Sequence, residues 1–323
     1  MTVRRPVPTV ELVVFAAVVT IVTVVTVVTM PGVLAAGAQF GRGGPPYTPE
    51  PGARDLKAVL FNWTWRMGML RGVSEPEIVA TLEYQGTGTI QVDGQPCTLT
   101  KYRVSANYQT PGQRTQIECM RPDGRTHSTI EVVSGEYAWD EDIPGAEIVP
   151  GEGTATPRPA ALHERLIRLW ANPHGAAKAA IAAAAGLPPA ESFAQNPAVL
   201  LDARASAGGR ATRLSWETGR PVLTFPIPGV PGAMATATLN DDFLAERVVV
   251  THGADTTEFV YGDYGDWNNP LHKIEAMYAG TIVERRNGVV VRDLTTVETE
   301  ISNVYVVVPV PASVRKAVSA PTR

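Results

Sequence analysis

Histidine and cysteine are the side chains that most readily bind metal ions or attack a substrate, yet their spacing here supports neither role. The five histidines include no pair at H-x-H or H-x-x-x-H spacing, so the sequence predicts no local zinc or copper site. The two cysteines, Cys97 and Cys119, are too far apart in sequence for a CxxC redox pair. No serine stands in a G-x-S-x-G elbow. We therefore predict no catalytic residue, no metal and no cofactor.

Clustered carboxylates offer a second kind of chemistry, because Asp and Glu bind Ca²⁺ or act as acid and base on a sugar. One cluster covers residues 140–142, and another contains Asp263 and Asp266. Neither follows the EF-hand pattern, and Asp is common in turns because its side chain bonds its own backbone. We interpret both clusters as turns, which places a glycan-acting hydrolase last among the functions considered.

Two blocks of alternating apolar and polar residues must position whatever site exists. Runs of β-branched and aromatic residues, separated by Gly, Pro and Asp turns, predict strands at 78–84, 87–92, 98–108, 114–120, 128–133 and 136–139. A second block predicts strands at 212–216, 222–225, 233–239, 247–252, 257–261, 274–285 and 289–301. In the last of these, we expect Val289 and Val297 on the buried face and Arg292 on the wet face. The blocks indicate antiparallel meanders.

Three helices are predicted around these strands. Apolar residues recur at helical spacing over 53–70 and again over 161–171, where Glu164 and Arg168 form an i,i+4 pair on the face opposite the apolar stripe. Pro173 ends the second helix. Residues 176–185 are almost all alanine and stop at Gly186, a predicted C-cap.

The first forty residues predict export. Arg4 and Arg5 precede an uncharged run from residue 12 to residue 40, which is the pattern of a signal segment. Small residues near its end place a cleavage site between Ala38 and Gln39. However, the apolar core at 12–30 is long, and about 20 apolar residues span a bilayer. An uncleaved anchor in the inner membrane is therefore the alternative.

The organisation that follows has four parts. We predict a signal peptide or signal anchor at 1–38, a Gly/Pro-rich flexible linker at 39–52, a single antiparallel β domain at 53–311 with a helical insert at about 159–186, and a disordered tail at 312–323. The protein is then periplasmic or secreted, or anchored to the inner membrane and facing the periplasm. The net charge of −4 is mild and scattered, which argues against nucleic acid as a partner.

An oxidising compartment favours pairing of Cys97 with Cys119. Both lie in strand-like stretches on either side of a turn region at 109–113. The alternative is two buried free thiols. We predict a structural disulfide, worth about 3 kcal/mol in the chain-entropy model.

A family resemblance appears near the end of the chain. Residues 259–267 read FVYGDYGDW and are followed by Pro270, Ile274 and, before the last valines, Asn303. This stretch resembles the late strand, the Y-x-D-Y turn and the returning strand of the LolA/LolB-like lipoprotein carriers of the bacterial periplasm. Elsewhere the similarity is one of element order, and the chain differs in its length, its Pro-rich middle and its lack of a lipobox. The resemblance implies a mainly β (α+β) fold: a large antiparallel sheet curled into an incomplete barrel, with an N-terminal helix and two inserted helices.

In an incomplete barrel, inward-facing residues from separated strands line one cavity. Seven aromatic side chains are the candidates: Tyr137, Trp139, Trp170, Phe225, Phe259, Tyr261 and Trp267. The alternative is that they form a packed core. The alanine-rich helix favours a cavity, because a helix without large side chains leaves room on a concave face or is displaced by a ligand.

We therefore expect an exported, non-catalytic carrier or binding protein for an apolar ligand, such as a lipid or a lipoprotein acyl chain. The alternative is a structural or interaction protein of the cell envelope, anchored to the inner membrane. In that case the membrane itself is the partner of the N-terminal segment.

Overall fold

The computed structural model describes residues 47–70, 79–192, 197–203, 211–267, 276–301 and 305–319. The predicted signal segment with Ala38 and Gln39 lies outside these residues, as do Pro270, Ile274 and Asn303. The described residues belong to one compact unit, residues 45–323. None of its described helices is long and apolar enough to cross a membrane.

Within the described residues, thirteen strands form one antiparallel sheet, as the period-two patterns predict. The first meander contains β1 (Thr81–Val92), β2 (Gln95–Asn107), β3 (Gly112–Met120), β4 (Thr126–Ser134), β5 (Tyr137–Glu141) and β6 (Ala155–Pro157). The second contains β7 (Arg213–Glu217), β8 (Arg220–Pro226), β9 (Met234–Leu239), β10 (Ala245–His252) and β11 (Asp255–Gly262). A two-stranded ribbon follows, β12 (Gly265–Asp266) with β13 (Met277–Tyr278), and then β14 (Thr281–Arg286) and β15 (Val289–Ile301) complete the sheet.

The strand order is β6-β5-β4-β3-β2-β1-β15-β14-β11-β10-β9-β8-β7, so the pairing of β1 with β15 joins the two meanders. The end strands of this order, β6 and β7, do not pair with each other. The sheet is therefore open, and the predicted mainly β architecture with an unclosed sheet is confirmed.

Strand β1 is continuous where the sequence predicts two strands. Its pairing with β2 slips between Gln85 and Thr89. Within this slip Gly88 has φ +129°, and a Cβ there would lie 2.0 Å from the carbonyl oxygen of Asp293. Only glycine permits this close approach of β15. Such irregularities bend a strand, which helps the sheet to curl.

The helices differ from prediction mainly at their ends. Helix α1 (Leu56–Arg66) begins after Asp55, whose carboxylate accepts a hydrogen bond from the Ala58 amide. A 3₁₀ turn (Pro159–Ala161) leads into α2 (Leu162–Ala171). Helix α3 (Pro173–Ala185) starts three residues earlier than predicted, because proline fits the first helical turn. It ends at Gly186 in the left-handed conformation, as predicted. Two short helices follow, α4 (Pro189–Ser192) and α5 (Pro197–Ala203).

The prediction of a disordered tail is wrong for residues 312–319, which form helix α6 (Ala312–Ser319). Its Val314 is fully buried, together with Val306 and Val308 from the preceding segment, in a second apolar cluster that includes Trp139. The side-chain amide of Asn107 donates to the carbonyl oxygen of Val306 at 2.8 Å. Apolar burial thus orders a helix in which half of the residues are polar.

Candidate functional site

Helix α2 lies over the concave face of the sheet and is fixed there by Arg165. The guanidinium of Arg165 donates to the carbonyl oxygens of Val132 (3.0 Å) and Trp139 (2.6 Å), and it pairs with Asp140 at 2.5 Å. Because Arg165 is nearly fully buried, these bonds attach α2 firmly to β4 and β5.

From this position α2 contributes to a charged cluster inside the curled sheet. The cluster consists of Glu131, Glu164, Arg168, Glu284, Arg286 and Arg292. Arg168 reaches Glu164 at 2.6 Å, Glu284 at 3.1 Å and Glu131 at 3.5 Å. The predicted Glu164–Arg168 pair therefore exists, but Arg168 is not on a wet face, since its side chain is only 10% exposed.

The cluster also spans the concave face of the sheet. Glu131 on β4 and Arg292 on β15 are separated by three intervening strands, a path of about 19 Å at the usual strand spacing. Nevertheless, their side chains meet at 3.3 Å. Arg292 also contacts Glu284 at 3.3 Å and donates to the Tyr102 hydroxyl at 2.8 Å. These contacts require strong curling of the sheet.

The sequence assigned Arg292 to the wrong face of β15. It is 7% exposed, whereas Val289 and Val297, expected inside, are 64% and 53% exposed. A buried arginine is tolerated here because two carboxylates and a phenol accept its hydrogen bonds. Glu131 and Glu284 were not predicted as site residues either. In the sequence, the one sign of such buried charges is a charged residue at a position where the alternation of the strand calls for an apolar one.

Electrostatics keeps the carboxylates of the cluster ionised. Burial opposes ionisation of Glu284, but the charges of Arg168 and Arg292 outweigh it and lower the pKa of Glu284. The pKa of Glu131 is lowered in the same way. For Glu164, burial is again opposed by neighbouring arginines, and the pKa falls to about 2. Because all three are ionised at neutral pH, none is ready to donate a proton as a general acid.

Three of the cavities in the described part of the chain adjoin the cluster and have room for water. The inner cavity has a volume of about 30 Å³ and is lined by Tyr84, Tyr102, Phe259, Tyr261 and other residues. That volume is enough for one or two water molecules. The larger outer cavity (280 Å³) and the smaller outer cavity (210 Å³) lie at the end of the sheet that carries the β1–β2, β3–β4, β10–β11 and β14–β15 turns.

Charged side chains form the walls between these cavities. Arg168 and Arg292 line both the inner cavity and the smaller outer cavity. Glu284 lines the inner and the larger outer cavities, and Glu164 and Arg286 line both outer cavities. An aromatic interior is thus separated from the outer cavities by ion-paired side chains.

The structure does not bring the seven candidate aromatics to one cavity. Phe259 and Tyr261 line the inner cavity. Tyr137 and Trp139 belong to the second apolar cluster, under the C-terminal segment and on the opposite face of the sheet. Strand alternation places them there, because the neighbouring Asp140 points to α2.

The other three candidates pack in the main core. Trp170 lies beside Tyr108, with ring centroids 6.0 Å apart, and Phe225 is fully buried. Trp267 is partly buried and donates from its indole nitrogen to the carbonyl oxygen of Tyr278 at 3.2 Å. These three are positioned as core residues.

A polar network surrounds the start of α3. The side chain of Asn172 accepts from the Tyr108 hydroxyl (3.2 Å) and donates to the Tyr278 hydroxyl (2.7 Å). His174 and Lys178, one turn apart on α3, are 0% and 3% exposed. Burial, and secondly the charge of Lys178, lowers the pKa of His174 to about 3. Helix α3 therefore places two basic side chains, those of His174 and Lys178, in the core.

Cys97 on β2 and Cys119 on β3 form the predicted disulfide, with Cα atoms 5.5 Å apart.

Two histidines distant in sequence, His163 and His252, meet at the larger outer cavity with ring centroids 5.2 Å apart. Among the residues that the structure describes, no group of three or more His, Cys, Asp or Glu side chains could hold a metal ion.

Comparison with known proteins gives one kind of match. No family model matches the chain, and no curated protein matches it. A solved structure does match: a domain described as part of an outer membrane lipoprotein-sorting protein from Vibrio parahaemolyticus. The match covers 76% of this chain and 92% of that chain, with 9% sequence identity and a TM-score of 0.38.

Proposed function

We propose that this protein is a non-catalytic binding protein of the cell envelope that carries a lipid or the acyl chain of a lipoprotein. One observation carries the proposal: α3, in which eight of thirteen residues are alanine, is buried inside the open sheet against β8. Export by the segment at 1–38 is part of the proposal.

Helix α3 is enclosed on all sides. Twelve of its residues are buried, and it packs against β8, where Leu223 and Phe225 are fully buried. A buried methyl group contributes roughly 0.8 kcal/mol, much less than a leucine side chain. An alanine helix is therefore held in a core less strongly than a leucine-rich one. At thirteen residues it is about 20 Å long, so its departure would open an extended apolar groove.

Displacement of α3 is needed because the existing inner cavity is too small for a chain of methylene groups. In the proposed mechanism an acyl chain takes the place of α3 against β8. The aromatic side chains Phe259 and Tyr261 then contact the chain at the inner cavity.

The test combines ligand binding with amide hydrogen exchange. Purified protein should bind a fluorescent fatty-acid analogue, and binding should accelerate exchange at residues 173–185. Strand β3 (Gly112–Met120), which is paired on both sides with β2 and β4, serves as the internal control and should keep its protection. Binding without faster exchange in α3 would refute displacement, and absence of binding to any long-chain probe would refute the proposed function.

A packed interior favours the second candidate, an interaction protein of the envelope. The inner cavity of about 30 Å³ is the observation on its side. This candidate predicts that α3 keeps its protection at every concentration of lipid.

A further inference from the structure

We propose that the smaller outer cavity binds an anionic head group, a phosphate or a carboxylate, of the amphiphile whose chain enters the interior. This inference rests on the proposed function and specifies the chemical class of its ligand.

The two outer cavities differ in the sign of their charge. The smaller one is lined by three arginines, Arg168, Arg286 and Arg292, against two carboxylates, Glu131 and Glu164. The larger one is lined by three carboxylates, including Asp255, against a single arginine, Arg286. An anion is therefore favoured in the smaller cavity and disfavoured in the larger one.

Arg286 is the cation that the cluster can release to a ligand. It pairs with Glu164 at 2.5 Å and with Glu284 at 3.1 Å, and its side chain is 33% exposed. If it turns to an anion, Glu164 keeps Arg168. Glu284 keeps both Arg168 and Arg292. No buried carboxylate then loses its last partner, so the large cost of an uncompensated buried charge does not arise.

The other arginines connect this head-group site to the interior. Arg168 and Arg292 line both the smaller outer cavity and the inner cavity. An anion held at their guanidinium groups would therefore have its attached chain directed past Tyr102 towards Phe259. Neutral groups that can hydrogen-bond, Gln91 and Thr129, line the same outer cavity.

The experiment compares amphiphiles of equal chain length in the whole protein. Dodecyl phosphate and dodecanoate are the anionic probes, and dodecyl maltoside is the neutral probe, each titrated below its micelle concentration. The variants are Arg286→Gln and Arg286→Lys. Arg285→Gln is the matched control, because the adjacent Arg285 pairs with Glu258 on the other face of β14.

We expect both anionic probes to bind more tightly than the maltoside. Arg286→Gln should weaken anionic binding by about tenfold, which corresponds to the loss of one hydrogen bond to a charged group. Maltoside binding should stay unchanged, Arg286→Lys should restore part of the loss, and Arg285→Gln should behave as wild type. Inorganic phosphate at millimolar concentration should compete with dodecyl phosphate but leave maltoside binding unchanged.

Three results separate the possibilities. Equal affinity for anionic and neutral probes, with no effect of Arg286→Gln, would overturn the head-group site and leave the proposed apolar binding intact. Tight binding of phosphate alone, with no gain from the dodecyl chain, would show a free-anion site and overturn the link to an amphiphile. Failure of all three dodecyl probes to bind would count against the proposed function itself.

Discussion

Replacing His174 with phenylalanine should remove most of the loss of stability that the protein suffers between pH 8 and pH 5. His174 is fully buried on α3, and its ring stacks on Tyr278 with centroids 5.9 Å apart. Burial is the main cause that lowers its pKa to about 3, and the charge of Lys178 adds to it. Phenylalanine keeps a ring at this position but cannot take up a proton.

The magnitude follows from linkage. In the unfolded chain histidine has a pKa of about 6.5, so the unfolded state binds more protons than the folded state between pH 6.5 and pH 3. The stability conferred by neutral His174 is therefore fully present above pH 6.5 and is lost as the pH falls. At pH 5, about 1.5 units below 6.5, the loss is about 2 kcal/mol at 1.36 kcal/mol per unit. For a domain of this size it lowers the Tm by roughly 4 to 8 °C.

Urea unfolding at pH 5 and pH 8 measures this effect. Both pH values lie above the usual pKa values of Asp and Glu side chains. Protonation of histidine therefore dominates the difference in the free energy of unfolding between pH 5 and pH 8. For His174→Phe, the change in the free energy of unfolding between the two pH values should be about 2 kcal/mol smaller than for wild type. His163→Gln, at an exposed histidine of α2, is the control and should keep the wild-type change. If His174→Phe and wild type lose equal stability, the buried neutral histidine is not the cause.

Three further predictions concern other parts of the fold. Replacing Cys97 and Cys119 with alanine should lower the free energy of unfolding by about 3 kcal/mol, measured in urea, and a reducing agent that leaves the wild-type midpoint unchanged would contradict the bridge. Burial opposes ionisation of Glu164, but neighbouring guanidinium groups lower its pKa to about 2, so its contribution is present above about pH 4.5 and lost as the pH falls towards 2. Glu164→Gln should flatten the acid limb of thermal unfolding, modestly because the side chain is 41% exposed, and an unchanged limb would refute the assignment. Gly175→Ala should lower the Tm, although alanine favours helices, because the new Cβ would lie 2.2 Å from the carbonyl oxygen of Leu169. A raised Tm would show that α2 and α3 are not in close contact at this position.

The strands could be predicted from the sequence because their signal is local. Alternating residues and turn dipeptides mark a meander within a few residues of where it pairs, and neighbouring strands pair in order through β1–β5 and β7–β11. The pairing of β1 with β15 joins residues about 200 apart, and no local pattern predicts it. The curl of the sheet depends on that pairing.

The charged cluster could not be predicted for the same reason. Arg292 contacts Glu131, 161 residues earlier in the chain, and the burial of both is tolerated because each has oppositely charged partners from distant parts of the chain. The rule that charged residues lie on the solvent-exposed face of a strand therefore gives the wrong face for Arg292. Alternation also leaves open which face is concave. Trp139 is buried, but under the C-terminal segment and not in the interior.

The buried basic residues of α3 link its stability to ligand binding. If α3 must leave the core before an acyl chain enters, any group that destabilises the docked helix favours binding. His174 is such a group below pH 6.5, because it is hydrated and protonated only after α3 leaves. The fatty-acid analogue should therefore bind more tightly at pH 5 than at pH 7.5, by at most about thirtyfold, the equivalent of 2 kcal/mol. His174→Phe should abolish this difference, since the docked helix then has no proton to gain on release. An affinity that rises at low pH equally in wild type and His174→Phe would place the pH dependence in the ligand, and the departure of α3 would no longer be required to explain it.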